Sequence, residues 1–172
     1  MAQALKLFFA GLALGVVWIG PGWLLGGAWQ QGLVGVLQDI GVQVAVGDPG
    51  ALAQQQLTLA AILSLSGPFA ALGRIVVSRL AAAPPTLWRL AVDSGIVFFG
   101  GNLGLGGGMI GAARIAVPHA LEASVRTGAV MVTLEDLSMT GWALGGVAGA
   151  AVFGTIVAAG QHLLRQDAPP AA

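Results

Sequence analysis

Few side chains in this chain are equipped for chemistry, and most of the spacings that chemistry needs are missing. Asp93 is the sharpest candidate, because it lies inside an apolar run where an ionised carboxylate is costly and marks a proton or cation site unless something neutralises it. Arg89, one helical turn earlier, is the expected partner, the pair snorkelling toward a membrane surface. Asn102 is the polar neighbour that would complete a substrate or ion site with Asp93. His119 and Glu122 are three apart, a spacing found in metal sites. The second such pair that a di-metal helix bundle needs is missing, so no metal is expected. Ser94, Ser124 and Ser138 are nucleophiles by type, yet none sits in Gly-x-Ser-x-Gly, and no catalytic residue is assigned. Cysteine is absent, which removes disulfides and thiolate chemistry.

The run from Gly100 to Gly108 contains six glycines, whose backbone N–H groups can cradle a phosphate. Gly-x-x-x-x-Gly-Lys is not present and the single lysine is Lys6, so no nucleotide or other cofactor is expected. Ser78-Arg79, Gly100-Gly101-Asn102 and Arg114 together loosely resemble the membrane glycerol-phosphate acyltransferases that use acyl phosphate, although the spacing and flanking residues differ from that family's pattern. The resemblance implies that Arg79, Asn102 and Arg114 converge at one membrane face. Helix packing is the competing use of the same glycines. Gly100, Gly104 and Gly108 fall four apart, and so do Gly141, Gly145 and Gly149. On helices each row makes a groove where another backbone can approach, and the two rows are expected to meet. Gly146, Ala150 and Gly154 form a row beside the second, and Gly11 with Gly15 and Gly22 with Gly26 repeat the spacing near the start.

The elements that must position these residues are set by composition. Hydrophobic residues make up 56% of the 172 residues and charged ones 8%, against about 25% charged in a soluble domain. Too few charges remain to surface a soluble fold, and the apolar runs approach the roughly 20 residues that cross a bilayer. The expected fold is all-α: an integral membrane four-helix bundle with glycine-groove packing and short interfacial helices. Residues 1–165 read as a single multi-pass transmembrane domain with spans at about 5–28, 57–80, 87–110 and 137–161, and 166–172 as a disordered tail.

Kinks are expected at Pro21 and at Gly67-Pro68, and an interfacial amphipathic helix at Leu33, Val36, Leu37 and Ile40. Asp48 before Pro49, and Thr86 before Leu87, read as N-caps. Residues 112–136 read as a polar connection with a short helix after Pro118. Thr133, Glu135 and Asp136 open the last span. Gly26-Gly27-Ala28 offers a signal-peptidase site, but the weak basic start and the apolar Trp23-Leu24-Leu25 predict that residues 1–28 stay attached.

Arg74, Arg79 and Arg89 flank the second connection and the first has no basic residue. Both termini are therefore expected on the cytoplasmic side of a bacterial inner (plasma) membrane. A net charge of zero gives no basic stripe for nucleic acid and no polybasic patch for lipid heads. The expected partners are the lipid bilayer and other membrane subunits or further copies of the chain. The resulting functional expectation is a small, non-catalytic subunit or accessory component of an envelope transport or secretion assembly. Its rivals are a homo-oligomeric pore or small transporter, with Asp93 or Asn102 facing water, and the lipid-modifying acyltransferase.

Overall fold

The computed structural model describes residues 2–39, 43–45, 48–80, 86–127, 131–133 and 139–166. They form helices α1 (Ala2–Asp39), α2 (Pro49–Ser64), α3 (Ser66–Leu80), α4 (Leu87–Thr127) and α5 (Met139–Gln166), with two three-residue strands, β1 (Gln43–Ala45) and β2 (Met131–Thr133). The strands pair in parallel, Gln43 opposite Met131 and Ala45 opposite Thr133. Because β1 follows α1 and β2 follows α4, the ladder ties the C-terminal ends of those helices together at one end of the molecule. The C-terminus of α3 and the N-terminus of α4 lie at the other end.

α1 is continuous for 38 residues, about 57 Å at 1.5 Å per residue, and so exceeds the ~30 Å hydrocarbon core. Pro21 sits inside it without ending it. The interfacial helix expected around Leu33 is instead the last part of α1, with Leu33 and Leu37 fully buried. Of the stripe read for a membrane surface, Leu33 and Leu37 face protein, Val36 is exposed and Ile40 lies outside the described residues. α4 likewise continues past Gly111 to Thr127, which replaces most of the polar connection expected at 112–136 with helix and includes Pro118. Glu135 and Asp136 lie outside the described residues, and Thr133 belongs to β2 rather than to a helix start.

The interruption between α2 and α3 falls at Leu65 rather than at Gly67-Pro68. Its cause is still Pro68, which has no N–H to offer the carbonyl of Ser64 and whose ring crowds that carbonyl. The Leu65 N–H turns to Ile62 O at 3.1 Å, and Phe69 N–H resumes the helix on Leu65 O at 2.9 Å. Asp48 precedes Pro49 as expected but makes no side-chain cap bond. Thr86 does cap α4, accepting from the Arg89 N–H at 3.4 Å.

Three helical stretches among the described residues are long and apolar enough to cross a membrane: Ala2–Asp39, Pro49–Arg79 and Met139–Gln161. α4 is not among these described stretches. The buried core is made of aliphatic residues and Phe98, among them Leu59, Leu63, Leu90 and Leu105. Outside it, Val16, Leu24, Phe99, Leu103, Phe153 and Ile156 are exposed, an apolar surface suited to lipid as the solvent.

Candidate polar and glycine contacts between the helices

Asp93 is held by Arg74 of α3 and not by Arg89. The guanidinium forks onto the carboxylate, Nε to one oxygen and Nη2 to the other, the latter at 2.9 Å. A planar fork across a helix interface satisfies both oxygens at once, which a flexible side chain one turn away does not match. Arg89 remains exposed at the start of α4.

One residue further on, the Trp18 indole N–H donates to Ser94 Oγ at 3.1 Å, and Ser94 in turn donates to Ala91 O at 2.9 Å. The Trp18 ring stacks on Phe98, centroids 4.4 Å apart. Two turns later the Trp29 N–H donates to Asn102 Oδ1 at 3.1 Å while Asn102 Nδ2 donates to Phe98 O at 2.9 Å. Asn102 is buried with both ends of its amide engaged. Asp93 and Asn102 are nine residues apart, about 13 Å along the axis and half a turn out of phase, so one faces α3 and the other α1. They do not form one site.

Sequence reasoning passed over the glutamines. Gln30 Nε2 of α1 donates to Gln55 Oε1 of α2 at 2.8 Å, and Gln56 Nε2 of α2 donates to Trp23 O of α1 at 2.8 Å. Their signal was present as Gln30 and Gln54-Gln55-Gln56 bordering apolar runs. Ser66 Oγ is buried with no hydrogen-bond partner among the described residues.

The glycines meet other helices at several points. A Cβ on Gly104 would lie 2.5 Å from Gly146 Cα, and Gly100 and Gly108 approach Ala150 and Trp142. The opposing row on α5 differs from the expected one. Gly141 is exposed, and a Cβ on Gly145 or Gly149 would meet nothing within 4 Å. The neighbouring row at Gly146 and Ala150 faces α4, because Ala143, Val147 and Ala151 on that side are the buried residues of α5. No family model matches the chain, and no curated protein or solved structure shows significant similarity to it. Function rests on this geometry alone.

The convergence implied by the acyltransferase resemblance is not met. Arg79 is exposed at the end of α3, Asn102 is engaged by Trp29, and Arg114 is 25 residues beyond Arg89 on one helix, about 37 Å away along the axis. The side chains of His119, Glu122, Ser124 and Ser138 lie outside those described. Among the described residues no group of three His, Asp or Glu could hold a metal ion.

Proposed function

We propose that the chain is a multi-pass protein of the bacterial plasma membrane, with both termini cytoplasmic, acting without catalysis as a component of a transport or secretion assembly through helix contacts. One observation carries the reading: Gly141, Gly145 and Gly149 form a row on α5 that faces away from the other described residues. A glycine row on a helix lets a second backbone come close, and in lipid that approach, through dispersion, is a main source of helix attraction. The proposed occupant is a helix of another subunit or of a further copy.

On this reading α4 is a fourth crossing and the helices form a four-helix bundle packed through glycine grooves. Its polar residues find partners within the protein, Asp93 on Arg74, Ser94 on Trp18 and Asn102 on Trp29. Its lipid-directed residues, Val92, Ile96, Phe99 and Leu103, are apolar and exposed. The bilayer meets only this outer face, while the polar groups are met within the protein. The arginines at the α3–α4 end support the orientation.

The test is the mass of the complex extracted in mild detergent, compared with Gly145→Leu. The added side chain has open space inside the monomer, so an assembly that dissolves while the monomer stays folded supports the proposal. An unchanged complex, or a wild-type chain that is monomeric and alone, overturns it.

A further inference from the structure

A groove of about 320 Å³ opens between α3, α4 and α5, close to the lower end of the roughly 300 to 1,000 Å³ usual for ligand sites. Along α5 it extends from Ala151 to Gln161, about 15 Å of helix, half of the ~30 Å hydrocarbon core and so one leaflet deep. Ala70, Val97 and Ala151 form a buried apolar floor, while Ile96, Phe153 and Val157 at the rim are exposed. An apolar rim directs the mouth toward acyl chains rather than water. Arg74 and Asp93 close one part of the lining.

The charge at this end is unbalanced. Arg74 uses Nε and Nη2 on Asp93, which leaves three of its five N–H donors without a protein acceptor among the described residues. Arg79 and Arg89 are exposed at the same end and make no ion pair among the described residues. The acids with described side chains other than Asp93 are Asp39 and Asp48, and both belong to the opposite end, beside β1. The zero net charge of the whole chain, which suggested no basic patch, therefore coexists with a local excess of cations at this end.

We propose that this groove holds an acyl chain of an anionic phospholipid from the adjoining leaflet, with the lipid phosphate on the free donors of Arg74 and within reach of Arg79 and Arg89. The tail gains little by leaving bulk lipid for the groove, so selectivity comes from the head. A guanidinium offers phosphate a forked, charge-assisted bond that a zwitterionic head partly cancels with its own cation. One such contact corresponds to a preference of about tenfold.

The proposal needs the membrane placement but not the assembly role. It is tested by native mass spectrometry of the protein released from micelles holding equal amounts of phosphatidylglycerol and phosphatidylcholine. Lipid is counted on the monomer peak, and the oligomer peaks report on assembly separately. We expect one retained phosphatidylglycerol per chain, favoured about tenfold. Gly154→Phe fills the groove from a position where a Cβ has open space, and Val157→Trp blocks it from the rim. Each should remove the lipid while the helical circular dichroism stays unchanged. Arg79→Gln with Arg89→Gln should keep a lipid but lower the head-group preference several-fold. Equal retention of the two lipids by the wild type, wild-type lipid load in either folded groove variant, or an unaltered preference in the double variant would each overturn the proposal.

Discussion

The two halves of the chain are built to one plan and closed in different ways. In the first, α1 runs into β1 and returns as α2 and α3; in the second, α4 runs into β2 and returns as α5. Gly11 and Gly15 meet Ala71 and Gly67 in the first hairpin, as Gly100 and Gly104 meet Ala150 and Gly146 in the second. Both therefore use a glycine pair against a glycine and an alanine four apart on the returning helix. The first hairpin adds polar links, Gln30 to Gln55 and Gln56 to the Trp23 carbonyl, and bends at Leu65. The second returns as one unbroken helix and has Trp142 lying over Gly108 and Gly111. Close approach is thus the shared requirement, and hydrogen bonding the part that varies.

Breaking the approach in each hairpin gives the largest effects. A Cβ on Gly67 would collide with the backbone of Gly11 and Gly15, atoms that cannot turn aside. Gly67→Leu should cost more than the usual ~1 to 3 kcal/mol of overpacking, read as the thermal midpoint in detergent. Gly104→Leu, opposed by Gly146, should cost about 2 to 3 kcal/mol. If Gly67→Leu proves the milder of the two, the bend at Leu65 relieves strain and the hairpins are not equivalent.

Next comes the link between the halves. Asp93→Asn leaves the half-buried Arg74 facing a neutral amide, and about 1 to 2 kcal/mol should be lost, less than for a fully buried pair. Arg89→Gln should leave the midpoint unchanged. Equal losses at Arg89 and Arg74 would restore the same-helix pairing. Trp18→Phe retains a ring over Phe98 but removes the donor to Ser94, for about 1 kcal/mol. The smallest effect is expected at Gly145→Leu, within about 0.5 kcal/mol for the isolated monomer, because nothing stands near it.

How far the sequence reveals these arrangements depends on whether a feature is local. Gly100, Gly104 and Gly108 were legible as one face, since their spacing belongs to one helix. On α5 two rows of small residues lie side by side, and spacing cannot choose between Gly145 and Gly146. The choice is made by Val147 and Ala143, whose burial depends on where α4 lies. Arg89 was the nearest cation to Asp93 in sequence, but Arg74 reaches it only because α3 packs against α4. Trp18 carries no signal in its own stretch of sequence and finds its role only where α1 crosses α4 at Ser94. Strands of three residues are too short for a period of two to show. Leu33 and Leu37 gave the right periodicity and the wrong neighbour, because an amphipathic stripe does not say whether lipid or protein covers it.

The length of α1 and α4 has a further effect on the two sides of the membrane. Both begin near the arginine end and exceed a bilayer core by about 25 to 30 Å, and the strands join them at the far end. On the proposed placement, with both crossings starting at the arginine end, the protein is nearly flush with the membrane on the side of Arg79 and stands well clear of it on the other. On that placement a soluble protease applied to the tall side has helix and ladder to cut. A water-soluble partner finds its surface on the same side.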